Sequence, residues 1–108
     1  MESMLTARTW GVEKQVLDSL SNLLPAADWT QLAEYMIRRS IEHGERRSEE
    51  MVEAAATVRD ADVDDLMAAA TARRQAWAGD QRDALAADGL AGLLDAIRAA
   101  RTDWTAQT

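Results

Sequence analysis

A chain of 108 residues with 47% apolar content fits one helical core, and is too short for a core plus an independent cofactor-binding domain. A formal net charge of −7 sets it against phosphate backbones and anionic lipid, so neither nucleic acid nor a membrane surface is expected as a partner. The absence of cysteine excludes disulfides and thiolate metal sites.

Ala and Leu dominate the apolar residues and Phe is absent, a composition that favours helices over strands. Residues 2–9 read as a short helix that Gly11 interrupts. The spacing of Val12, Val16, Leu17, Leu20, Leu23 and Leu24 then predicts an amphipathic helix over 12–24, ended by Pro25. Asp28-Trp29-Thr30-Gln31 has capping-box spacing. The helix it opens is expected to bury Leu32, Ala33, Met36 and Ile37 and to stop at His43, with Gly44 as a left-handed cap. Trp29, one residue past the cap, suits sealing against a neighbouring helix or a second subunit.

A fourth helix over 45–61 carries Met51, Ala54, Ala55 and Val58 on one stripe and Glu45, Arg46, Glu49 and Glu53 outward. Asp62-Val63-Asp64-Asp65 forms a turn that also caps the fifth helix. That helix, 66–78, ends at Gly79, with Leu66, Met67, Ala70 and Trp77 as its buried candidates. A short piece over 81–87 leads to Asp88-Gly89, and a last helix over 90–101 buries Leu90, Leu93, Leu94 and Ile97. Trp104 sits in a polar tail, placed to fold back on that helix. No alternating β-branched run occurs, so the expected fold is all-α: a compact bundle of five to seven short helices in one domain, 1–108.

No apolar run approaches the ~20 residues of a membrane span. The opening MESMLTARTW lacks a basic region followed by an apolar stretch, so a cytoplasmic protein is expected. Phosphate-binding glycine loops, a nucleophile elbow and the zincin motif are all missing. Glu42, His43, Glu45, Glu49, Glu50 and Glu53 crowd twelve residues, but Ser40 stands where a di-iron Glu-x-x-His would need its Glu. Glu42-x-x-Glu45 is interrupted by Gly44, and Asp62-x-x-Asp65 suits a turn better than a ligand pair. A solvated acidic face supported by Arg46 and Glu50 at i, i+4 accounts for the run, and no metal is expected. His43 is either structural, at a helix C-terminus, or ligand-facing. A His followed by Arg46 and Arg47 around a Gly turn can clamp a carboxylate.

The run IEHGERRSEEMVEAAATVRDADVDDLMAAAT resembles the C-terminal helical domain of the 6-phosphogluconate dehydrogenase-like oxidoreductases, the wider β-hydroxyacid dehydrogenase group. The residues that carry the likeness are His43, Gly44, Glu45, Arg46, Arg47, Glu50 and Met51. Glu2, Met4-Leu5, Ala7 and Gly11-Val12 match the end of a long interdomain helix and the turn after it. In the separate turn over 62–65, Asp62 departs from the Gly that the resemblance would lead one to expect.

The resemblance implies a catalytic assembly with an N-terminal Rossmann domain, binding NAD or NADP, and a catalytic Lys on the long helix. Neither is found in this chain, and its only Lys, Lys14, lies past the Gly-Val turn. It therefore implies a detached dimerisation and substrate-wall domain that is not catalytic alone and holds no cofactor. His43, Arg46 and Arg47 become the wall candidates. Apolar side chains that a parent enzyme would cover, Met4, Leu5 and Trp10, are expected to be exposed and hidden by homodimer formation. The alternatives are a stand-alone helical protein that binds an acidic metabolite or a protein partner, and a carboxylate-metal hydrolase.

Overall fold

The computed structural model describes residues 1–25 and 28–100; the Trp104 reading lies outside them. The described residues hold six α-helices and one 3-10 turn, with no strand among them. The chain divides into two units, one made of Met1–Arg38 together with the segment from Asp83 onward, the other of Arg39–Arg82.

The first unit contains α1 (Glu2–Thr9), α2 (Glu13–Leu23), the first ten residues of α3 (Trp29–Glu42), most of the 3-10 turn Arg82–Ala86, and α6 (Gly89–Ala99). Leu90, Leu93, Leu94 and Ile97 recur at i, i+3, i+4, i+7, and all four are buried. Each such side chain contributes about 1.5–3 kcal/mol when fully buried. Helix α1 packs on α6 and on α2, which is why Met4 and Leu5 are buried instead of exposed. Trp10, past the end of α1, is 77% exposed.

Helix α1 closes with two reverse bonds. Gly11 N–H donates to Arg8 O at 3.1 Å and Val12 N–H to Ala7 O at 2.9 Å, with Gly11 at φ +68°. This is the Schellman arrangement, in which a residue without Cβ adopts the left-handed conformation at no steric cost. Arg8 ties the unit together, its Nε and Nη2 donating to the Asp95 carboxylate at 2.9 and 3.0 Å and its Nη1 to Glu13 Oε1 at 2.5 Å. Arg38 forks onto Leu85 O and Ala87 O at 3.0 and 2.6 Å, while its Nε pairs with Glu34.

At the start of α3, Gln31 N–H donates to Asp28 Oδ1 at 3.2 Å, so Asp28 caps as its spacing predicts. Trp29 is half-buried and its indole N–H donates to Leu24 O at 2.9 Å. Ile37 is buried, Leu32 and Ala33 are half-buried, and Met36 is exposed, as are Leu23 and Leu24 at the end of α2.

The second unit is a helical hairpin, α4 (Gly44–Asp60) and α5 (Leu66–Gly79), preceded by the last turn of α3. Gly44 is not the left-handed cap expected of it. It starts α4, and its missing side chain serves close approach. A Cβ there would overlap Gln75 O and lie 2.5 Å from Gly79 N, both backbone atoms of α5. Alanines Ala55, Ala72 and Ala78 are buried in the same hairpin.

Helix α4 ends in a second Schellman motif, Asp62 N–H to Arg59 O at 2.9 Å and Val63 N–H to Val58 O at 3.2 Å. The left-handed position here, φ +60°, is filled by Asp62. Asp64 Oδ1 accepts the Leu66 N–H at 3.0 Å, and Arg59 pairs with Asp65. Of the buried candidates on α5, only Trp77 is covered, at 1% exposure; Leu66, Met67 and Ala70 are exposed. The Arg74 guanidinium lies 4.9 Å from the Trp77 ring centroid, within cation–π range.

Candidate functional site

The candidate residues cluster where α3 gives way to α4 inside the hairpin unit. One residue, His43, separates the two helices. Its N–H donates to Arg39 O at 3.0 Å, as a last helical bond of α3. Its carbonyl accepts the Arg47 N–H at 2.9 Å, as a first bond of α4. The Glu42 carbonyl at the end of α3 faces Arg82 Nη1 at 3.5 Å, a cation placed where the helix dipole favours one.

Around this junction lies an open depression of about 320 Å³, lined by Glu42, His43, Glu45, Arg46 and Glu49. His43 and Arg46 therefore share one surface, three residues apart on one helical side. Arg47 is half-buried and not among the lining residues, because one helical step turns it about 100° from Arg46. Sequence reasoning places Glu45 and Glu49 on an outward solvated face and leaves them, and Glu42, out of the site. Their spacing with His43 and Arg46 (42, 45/46, 49) is the signal that could have included them.

The His43 ring is about one-third exposed, yet its Nε2 is buried without a hydrogen-bond partner and sits 3.8 Å from Glu42 Oε2. Partial burial, then the positive charges of Arg39, Arg46 and Arg47, hold the imidazole below its ordinary pKa of 6.5, against the pull of Glu42. The ring is accordingly neutral at pH 7. A neutral imidazole beside one exposed guanidinium can orient a ligand through hydrogen bonds and a single positive charge. Among the described residues, no three imidazole or carboxylate groups converge closely enough to hold a metal ion.

Fold and site together define an all-helical domain that carries a polar depression on one helical hairpin. The chain belongs to the family described as Domain of unknown function (DUF1932), whose model matches residues 7–78 and so covers the whole depression. This is the C-terminal helical domain of the 6-phosphogluconate dehydrogenase-like, or hydroxyacid dehydrogenase, family. No curated protein and no solved structure matches the chain. Among the described residues, no helix is long and apolar enough to cross a membrane.

Proposed function

We propose that the chain serves as the self-associating, substrate-wall domain of an NAD(P)-dependent hydroxyacid dehydrogenase-like protein. In this reading hydride chemistry belongs to a nicotinamide-binding domain, and these helices supply one side of the cleft. His43 and Arg46 face the substrate, and Arg47 supports them from the half-buried side. The observation that carries the reading is the family match running through His43, Arg46 and the rest of the depression's lining.

The electrostatics favour a wall over a complete binding site. Glu42, Glu45 and Glu49 outnumber Arg46 along the depression, so a carboxylate ligand meets net repulsion unless an opposing surface supplies positive charge. An open surface of this size also buries too little of a ligand to bind it tightly alone. Both arguments weaken the reading of a stand-alone binder of an acidic metabolite. Self-association draws on the exposed Trp10, Leu23, Leu24, Tyr35 and Met36.

Two measurements test the proposal. An antibody raised against residues 1–108 is used to probe extract of the source cells. A band larger by a Rossmann domain supports it, and a band near 11.9 kDa counts against it. Calorimetry of the chain with 3-hydroxypropionate should give no binding at millimolar ligand. Saturable heat that disappears in the Arg46→Ala, Arg47→Ala variant would favour the metabolite-binding reading instead.

A further inference from the structure

At the far end of the hairpin from the depression, about 25 Å away at the rise of a 17-residue helix, the α4–α5 turn ends in an apolar tip. Val63, Leu66 and Met67 are 57%, 71% and 79% exposed, and Ala70, one turn further along α5, is exposed too. Positions 66, 67 and 70 follow helical spacing on α5, so these side chains form one stripe, and Val63 lies in the turn that leads into it. The turn beside it is acidic, with Asp60, Asp62 and Asp64 all exposed, while Arg73 is exposed at the other end of the same side of α5. The nearby cation, Arg59, is taken up by Asp65, and the bond from the Leu66 N–H fixes the Asp64 carboxylate at the edge of the stripe.

We infer that this tip docks a basic amphipathic helix of a partner protein, with apolar side chains over Leu66 and Met67 and Lys or Arg against the three aspartates. Charge decides the occupant. A second copy would bring the same aspartates and a net charge of −7 to the contact, so like charge opposes a tip-to-tip dimer. Anionic lipid is repelled for the same reason. A basic helix is attracted, and the flexible thioether of Met67 lets the surface fit varied apolar anchors. The inference does not rest on the substrate-wall reading, because none of these residues lines the depression.

The test uses a fluorescein-labelled fourteen-residue peptide of Leu and Lys at helical spacing, titrated with the intact chain and followed by anisotropy. Saturable binding is expected, and it should weaken as salt rises from ~0.02 M to ~0.5 M. Leu66→Ser with Met67→Ser should weaken it by about tenfold or more. Asp60→Asn, Asp62→Asn and Asp64→Asn together should remove most of the salt dependence. Both variants change exposed side chains, and circular dichroism checks that their helix content is kept. Absence of binding, equal binding by the Ser variant, or equal binding of a peptide with Gln in place of Leu would each overturn the inference. So would sedimentation showing a dimer that the Ser variant dissolves, since a second copy would then occupy the tip.

Discussion

Replacing Gly44 by Ala tests whether the hairpin is held by backbone contact. The added Cβ would overlap Gln75 O and stand 2.5 Å from Gly79 N and 2.8 Å from Gly79 Cα. All three are backbone atoms of α5, so no rotamer change relieves the clash, and the helices must part by roughly 1 Å to reach ordinary contact. A gap of that size forfeits about a quarter to a half of each dispersion contact nearby, and overpacking of this kind costs about 1–3 kcal/mol. The usual helical gain of Ala over Gly, about 0.5–1 kcal/mol, offsets part of it.

A net loss of about 1–1.5 kcal/mol is expected for Gly44→Ala. At Gly92 in α6 the same change meets only Ala87 Cβ at 3.8 Å, an ordinary contact, and should gain about 0.5–1 kcal/mol. The two substitutions are chemically identical, so unfolded-state effects largely cancel between them. Urea unfolding followed by circular dichroism, at about 1–3 kcal/mol per molar, should separate their midpoints by roughly 0.5–2.5 M. A Gly44→Ala protein within ~0.5 kcal/mol of the parent would refute the close-approach argument.

Other expectations are equally open to measurement. Asp62 occupies a left-handed position, so Asp62→Gly should be neutral or slightly stabilising, while Asp62→Val should fall about 1–2 kcal/mol below it in thermal unfolding; equal stability would refute the motif. Ile97→Ala, at a fully buried site, should lose about 2–5 kcal/mol in the same assay. His43 is the only histidine, so its proton resonance titrates unambiguously. Its midpoint should lie below 6.5 and rise in Arg46→Ala, and a value at or above 6.5 in the parent would remove the assigned environment.

In acid, two carboxylates matter. The Arg8 hydrogen bonds hold Asp95 below its ordinary 3.8, and Glu13 is held below 4.5 by its own backbone N–H and then by Arg8. Their stabilisation is present above those ordinary values and lost as pH falls through the depressed ones. Arg8→Ala should flatten that limb of the stability–pH curve, and an unchanged limb would place the acid sensitivity elsewhere.

Helical periodicity makes most of the secondary structure legible, because Pro, Gly and Asp mark the breaks and the apolar residues repeat at 3.6. The α6 core is read correctly, since Leu90, Leu93, Leu94 and Ile97 leave no choice of buried side. The α5 stripe shows the limit. Leu66, Ala70 and Trp77 lie within about 20–40° of one another around the helix, so periodicity identifies one apolar side. It cannot say how far along that side the cover extends, and the structure covers only Trp77. Gly44 misleads for a different reason: glycine serves left-handed turns and close approach equally well, and only the position of Gln75 and Gly79 separates the two. At the depression, His43 and Arg46 are legible from spacing. The Arg39 charge on His43 is easily missed because it comes from the preceding helix.

The Arg38 fork joins residues that leave the ribosome far apart in time. Leu85 lies 47 positions after Arg38, and at about 5–20 residues per second it emerges some 2–10 s later. Residues 39–82 are contiguous and dominated by local contacts, so the hairpin can form as it emerges. During that wait Met4 and Leu5 on α1 have no α6 to pack against, and the nascent N-terminal third presents apolar surface. Once residues 1–82 have left the ribosome, and before the segment from Asp83 follows, the chain holds a finished hairpin attached to an unfinished first unit.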